Sequence, residues 1–264
     1  MDILLVIVML AIGLVGSFFS GLLGIGGAII NYPLLLYVPS MLGIAHFSAH
    51  EVSSISMFQV FFASLAGVLA FRRKRKEGAS GVVHKGLVLY MGSGILAGSL
   101  IGGYVSGMLH GDVINLIYGV LAVLAVMLML IPVKGKEDQP AAELRFNKWV
   151  AVGAALVVGV LSGIVGAGGA FILIPIMLNV LRIPMRTTIA SSLAIVFVSA
   201  IGGVIGKIGG GGIPLWPTVF TVIGSLIGAS HGSKISTKLN VKLLRYGLVV
   251  LIALTAVKVW SNIL

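Results

Sequence analysis

Two stretches decide how this chain is read: Ser20-Gly-Leu-Leu-Gly-Ile-Gly-Gly-Ala28 and Ser162-Gly-Ile-Val-Gly-Ala-Gly-Gly-Ala170. They share a serine, four glycines and an alanine in register, and Pro33 and Pro175 follow at the same offset. Glycine tolerates positive φ and interrupts a helix, so each stretch predicts a turn between two apolar segments. Further matches continue in the same order. Val52-Ser53-Ser54-Ile55 answers Ala190-Ser191-Ser192-Leu193, Gly98-Ser-Leu-Ile-Gly102 recurs as Gly224-Ser-Leu-Ile-Gly228, and Tyr118-Gly119 recurs as Tyr246-Gly247. The chain is an internal repeat. Its first copy covers residues 1–132 and its second 148–264, joined by a linker at 133–147.

Working outward, the composition sets the solvent. Of 264 residues, 58% are apolar, 9% are charged and 37 are glycine, and the mean hydropathy is +1.15. A soluble domain carries about 25% charged residues, so this chain could not cover a water-facing surface. Stretches 3–23, 52–71, 86–109, 113–132 and 188–206 are free of charge. Each is close to the ~20 residues that cross roughly 30 Å of hydrocarbon. The expected class is an all-α, multi-pass membrane protein, which excludes nucleic-acid binders, secreted domains and soluble enzymes. The first segment lacks a basic leader and an A-x-A site, so it reads as a retained span. With no Cys, disulfides, thiolate metal sites and Cys nucleophiles are out.

Polar breaks cut the chain into ten apolar segments, five per repeat. An odd number places the two repeats in opposite orientation, the build of many secondary transporters. Segments 28–45 and 170–181 are short, so each repeat is expected to open with a glycine-broken helical hairpin. Counting each hairpin as in-and-out places 16 of the 18 Lys and Arg on one face, with only Lys207 and Lys258 on the other. The positive-inside rule makes the basic face cytoplasmic. Both termini are then extracytoplasmic, the membrane is the plasma (inner) membrane, and Arg72 to Lys76 anchor against anionic lipid.

The clusters Gly24, Gly26, Gly27, Ala28 and Gly166, Gly168, Gly169, Ala170 carry the functional expectation. Broken backbone at membrane depth is tolerated only where protein or a watery cavity covers it. The helices that begin at Ala28 and Ala170 offer unpaired N–H groups with positive dipole character. Two such starts facing each other bind an anion without any buried Lys or Arg, whereas close helix packing is the competing use of the same glycines. Ser53, Ser54, Ser191 and Ser192 add hydroxyl donors or act as caps. Asn31 and Gln59 are further uncharged candidates, although their counterparts Leu173 and Phe197 are apolar. The two Gly-Ser-Leu-Ile-Gly strings are read as packing faces.

His46, His50 and Glu51 form a cluster of titratable groups beside a span, and Glu51 is the acid closest to an apolar segment. A solvated mouth is its plainest reading. Glu51 is the candidate for proton coupling, and a metal site on the trio is the third reading. No resident metal or other cofactor is expected. The expected partners are a small anionic substrate, the lipid bilayer and protons as a candidate coupling ion, with no nucleic acid.

The paired S-G-x-x-G-x-G-G-A-x-x-x-x-P motifs, the Ser-Ser helix after each and the basic central loops resemble the sulfite exporter TauE/SafE family of membrane permeases. The resemblance spans nearly the whole chain. It implies transport of a small sulfur-containing anion such as sulfite, thiosulfate or a sulfonate, with Gly24, Gly26, Gly27, Pro33, Gly166, Gly168, Gly169 and Pro175 at the motif positions. The expectation is a non-enzymatic secondary transporter that holds an oxyanion near the midplane. A passive anion channel and a metal-ion permease built on His46, His50 and Glu51 are the rivals.

Overall fold

The computed structural model describes residues 3–23, 28–76, 83–130 and 146–236, with isolated positions between 246 and 261. The glycines Gly24, Gly26 and Gly27, nearly all of the 133–147 linker and most of the last apolar segment lie outside the described residues. Among the described residues every regular element is helical. The order is α1 (Ile3–Leu23), α2 (Ala28–Met41), α3 (Ala49–Lys76), α4 (Lys85–Val105) with a 3-10 turn (Ser106–Met108), α5 (Gly111–Leu130) and α6 (Lys148–Val165). Then come α7 (Ala170–Pro175) with a π turn (Ile176–Val180), α8 (Met185–Gly210) and α9 (Leu215–Ser236). Among the described residues, five stretches are long and apolar enough to cross a membrane: Ile3–Leu22, Ala49–Leu69, Lys85–Met108, Lys148–Val165 and Ala190–Gly210. The protein is a helical, multi-pass membrane protein.

Helix starts follow local chemistry. Asn147 Oδ1 accepts from the N–H of Trp149 at 3.0 Å and of Val150 at 3.3 Å, opening α6. His84 Nδ1 accepts from Leu87 N at 2.9 Å and opens α4. At α3, Ser48 and Glu51 form a reciprocal capping box: Ser48 N and Oγ both donate to Glu51 Oε2, at 2.8 and 2.9 Å, and Glu51 N donates to Ser48 Oγ at 3.3 Å. Two orphan donors of the first turn are satisfied that way.

Helices pack through glycine against bare backbone. On α4, a Cβ at Gly94, Gly98 or Gly102 would run into the carbonyls of Val152, Leu156 and Val160 on α6. On α9, Gly224, Gly228 and Gly232 lie in the same way against Leu10, Leu14 and Phe18 of α1. Small residues let helices approach to this distance in lipid, where no hydrophobic force drives them together. Both pairs run parallel, since residue numbers rise together on the two partners. The α6 and α1 contacts correspond under the repeat, so the identical Gly-Ser-Leu-Ile-Gly strings sit one helical turn out of step in the two interfaces. α8 also runs parallel to α4, with Gly202 against Leu96 and Gly206 against Leu100, and antiparallel to α3, with Gly67 against Leu193 and Gly203 against Met57. Apolar side chains such as Ile7, Leu89, Val157, Ile205 and Ile223 cover the outside of the bundle, as a lipid-facing surface requires.

The sequence places Lys207 in an external break at 207–212. Instead α8 continues to Gly210, and Lys207 lies inside that helix, 2% exposed. The stretch 170–181 is likewise not one helix. Its α-helical part ends at Pro175 and a π turn follows, because the proline ring lacks an N–H and its ring crowds the preceding turn.

Candidate functional site

Between α6 and α7 the backbone enters the left-handed region at Gly166 (φ 79°), Gly168 (φ 65°) and Gly169 (φ 77°). Space excludes side chains there as firmly as conformation does. A Cβ on Gly168 would lie 2.6 Å from Val60 Cγ1 and 3.2 Å from Val196 Cγ1, and one on Gly169 2.9 Å from Ser162 Oγ. Gly166 rests against the backbone carbonyl of Ser53. Contacts with Ser53 and then Val60, seven residues apart on α3, show the turn descending by about 10 Å at 1.5 Å per residue. α7 therefore starts inside the bundle, and with its π turn it runs only about 16 Å. Ile172 N and Leu173 N donate to Gly169 O at 3.2 and 3.0 Å, while the N–H groups ahead of them have no acceptor within the helix.

The first half supplies amides. Asn31 on α2 is fully buried, and neither its Nδ2 nor its Oδ1 has a partner among the described residues. Its Oδ1 fills the space a Cβ on Gly16 of α1 would need. One turn along the same helix, Gln59 of α3 donates through Nε2 to Ser17 Oγ at 3.2 Å and to Gly13 O at 3.4 Å. A carbonyl only accepts, so this orients the amide and leaves Gln59 Oε1 free; it is buried without a partner. Ser56, three residues earlier on α3, is also buried and unpartnered. Gly13, Gly16 and Ser17 line one face of α1, so both carboxamides meet one turn of it.

The remaining candidates separate. Ser53 Oγ donates to Ile164 O at 2.6 Å and accepts from Lys207 Nζ at 2.5 Å. Lys207 Nζ also donates to Ser106 Oγ at 2.6 Å and Ile164 O at 3.2 Å. Ser191 Oγ accepts from His84 N at 3.1 Å, at the far end of α4 from Ser106. Ser54 and Ser192 are buried. Pro33 and Pro175 lie inside α2 and α7, and Ala28 and Ala170 are the first residues of those helices. The His46, His50, Glu51 trio is split between partners. His46 Nδ1 pairs with Ser40 Oγ at 3.0 Å, Glu51 completes the capping box, and no group of three or more metal-binding side chains occurs among the described residues.

Sequence reasoning missed two features. Ser48-x-x-Glu51 is a legible capping signature. Lys207, by contrast, stands beside Gly209–Gly212 and reads as loop unless the helix is known to run on. Its burial corrects the expectation that it lies on the external face.

Comparison with known proteins agrees with this architecture. The family described as Sulfite exporter TauE/SafE matches residues 9–259. The probable membrane transporter protein YunE of Bacillus subtilis is 24% identical over 253 residues, covering 89% of this chain and 90% of its own. A probable membrane transporter protein of Xylella fastidiosa is 32% identical over 186 residues, 69% of this chain and 65% of its own. One from Methanocaldococcus jannaschii is 24% identical over 263 residues, 92% and 89% of the two chains. No solved structure is significantly similar. With a match across almost its full length, the chain belongs to the sulfite exporter TauE/SafE family of membrane proteins.

Proposed function

We propose that this protein is a secondary transporter of a small sulfur-containing oxyanion of the sulfite, thiosulfate or sulfonate type, working by alternating access across the plasma membrane. The observation that carries the reading is the buried carboxamide of Asn31 in an apolar bundle, whose Nδ2 donor has no partner among the described residues. An unsatisfied amide in such surroundings costs about 1–3 kcal/mol, which a polar ligand would recover. Asn31 lies in the first turn of α2, where N–H groups and the helix dipole favour negative charge. The Gly166–Ala170 turn contributes a second interrupted helix start. Interrupted helices aimed at an anionic group are a recurring transporter device.

In this reading the halves are inverted repeats. Helix pairing supports it, because exchanging α1 with α6, α3 with α8 and α4 with α9 maps the α1–α9 contact onto α6–α4, and α3–α9 onto α8–α4. The end carrying Lys85 and Lys148 is cytoplasmic, and protons couple through Glu51. The test is equilibrium binding to purified protein across sulfite, thiosulfate, a sulfonate and sulfate, followed by counterflow in proteoliposomes. Saturable binding of at least one of the first three, with counterflow, is expected. Absence of binding across the panel would refute the assignment, and flux without saturation would make the protein a channel.

A further inference from the structure

Lys207 is the one ammonium sealed within the bundle among the described residues, and no part of the reading above uses it. Its three N–H donors reach Ser53 Oγ, Ser106 Oγ and Ile164 O, which belong to α3, the 3-10 turn after α4, and α6. All three acceptors are neutral. Of the described carboxylates, Glu51 is engaged by Ser48 and Asp112 is exposed at the start of α5; neither pairs with Lys207. The hydrogen bonds are therefore complete, while no described carboxylate offers the ammonium a counter-charge. A tie among four elements needs only a hydroxyl or an amide. A full positive charge in a low-dielectric interior is costly unless a negative group shares the site.

We propose that Lys207 is an anion ligand at the mouth of the Gly166–Gly169 turn, taking the substrate oxyanion in exchange for one of its hydroxyl partners. The location fits, because Ile164 lies two residues before Gly166 and Gly166 packs on the Ser53 carbonyl. Ser53 tolerates the exchange, since its own hydroxyl stays bonded to Ile164 O at 2.6 Å when the ammonium swings away. Ser106 Oγ keeps Gly103 O as an acceptor at 2.8 Å. The ligand is thus a small oxyanion that offers a formal charge to one lysine. The inference rests on the transporter reading and gives it a residue that sets anion selectivity.

The test is binding of radiolabelled thiosulfate to the purified full chain, with sulfite and chloride as competitors. Lys207→Met keeps an unbranched stem close to that of lysine and removes the ammonium. Because hydrogen bonds to charged groups are worth roughly 1.5–3 kcal/mol, binding should weaken by about 10- to 150-fold. Ser106→Ala removes a competing acceptor and should tighten binding by a few-fold, which gives a readout even if Lys207→Met does not fold. Folded Lys207→Met that binds with wild-type affinity, or Ser106→Ala that binds no more tightly, would overturn the proposal and leave the transporter reading standing. Failure of the wild-type chain to bind thiosulfate, sulfite or a sulfonate would overturn both.

Discussion

Replacing Gly168 by alanine should destabilise the bundle by a magnitude that separates into two parts. The first is conformational. At φ 65° an L side chain costs about 1–2 kcal/mol. The second is steric. The new methyl would stand 2.6 Å from Val60 Cγ1 and 3.2 Å from Val196 Cγ1, against an ordinary contact of about 3.5–4.0 Å. Val60 is β-branched and held to essentially one rotamer in a helix, so relief must come from backbone movement, at about 1–3 kcal/mol. The total is about 2–5 kcal/mol. Two controls isolate the parts. Gly43 has φ 66° and open space around its Cβ position, so Gly43→Ala reports strain alone. Gly153 lies within α6 with equally open space and no positive φ, so Gly153→Ala should be neutral or stabilising by up to about 1 kcal/mol. The assay is thermal unfolding of each purified variant in detergent, monitored by monodisperse fraction. The order wild type or Gly153→Ala, then Gly43→Ala, then Gly168→Ala is expected. Combining Gly168→Ala with Val60→Ala should be less destabilising than the sum of the two. If Gly168→Ala unfolds alongside Gly43→Ala, or the double variant is additive, the turn is not sterically locked and the argument for a rigid break fails.

Tyr32 donates to Asn115 Oδ1 at 2.8 Å and stacks on Tyr118 with ring centroids 4.7 Å apart. Tyr32→Phe keeps the stack and loses the bond, so a loss of about 1 kcal/mol in the same unfolding assay is expected; no change would mean that this bond does not hold α2 to α5. Glu51→Gln preserves the capping box, which accepts Glu or Gln, so stability should hold while the pH dependence of uptake flattens. An unchanged pH profile would leave Glu51 as a cap only. A cysteine at Lys74 should be labelled only from the cytoplasm and one at Asp112 only from outside; labelling of both from one side would end the proposed orientation.

How much the amino-acid sequence foretells differs between fold and site. Span positions were legible because hydrocarbon thickness imposes a length that charge-free runs reveal directly. The break at Gly166–Gly169 was legible because left-handed backbone and crowded space both select glycine. Burial of Asn31 and Gln59 was open to guess as two amides within apolar runs. Their meeting on one turn of α1 was not, since Gly13 and Gln59 lie far apart in the chain. Lys207 was misplaced for a physical reason. Four glycines in Gly209–Gly212 look like a loop, whereas in the bundle Gly209 and Gly210 face Tyr104 and Gly103 of α4, and that packing carries the helix through. Glycine marks both broken helices and tightly packed ones, and only the neighbour decides which.

The glycine ladder between α1 and α9 has a consequence in time. Gly13 leaves the ribosome about 200 residues before Thr221, the residue it packs on, which at 5–20 residues per second is roughly 10–40 s. During that interval the α9-facing side of α1 stays uncovered, although Asn31 and Gln59 can already engage Gly16, Gly13 and Ser17. α4 meets α6 far sooner, and α8 follows onto α4, so that trio can assemble before α9 reaches α1. The α1–α9 contact is thus the last of these interfaces to close. A nascent chain halted after Gly210 should already cross-link through cysteines placed across the α4–α8 interface, whereas α1 should gain its protection only once α9 has entered the bilayer.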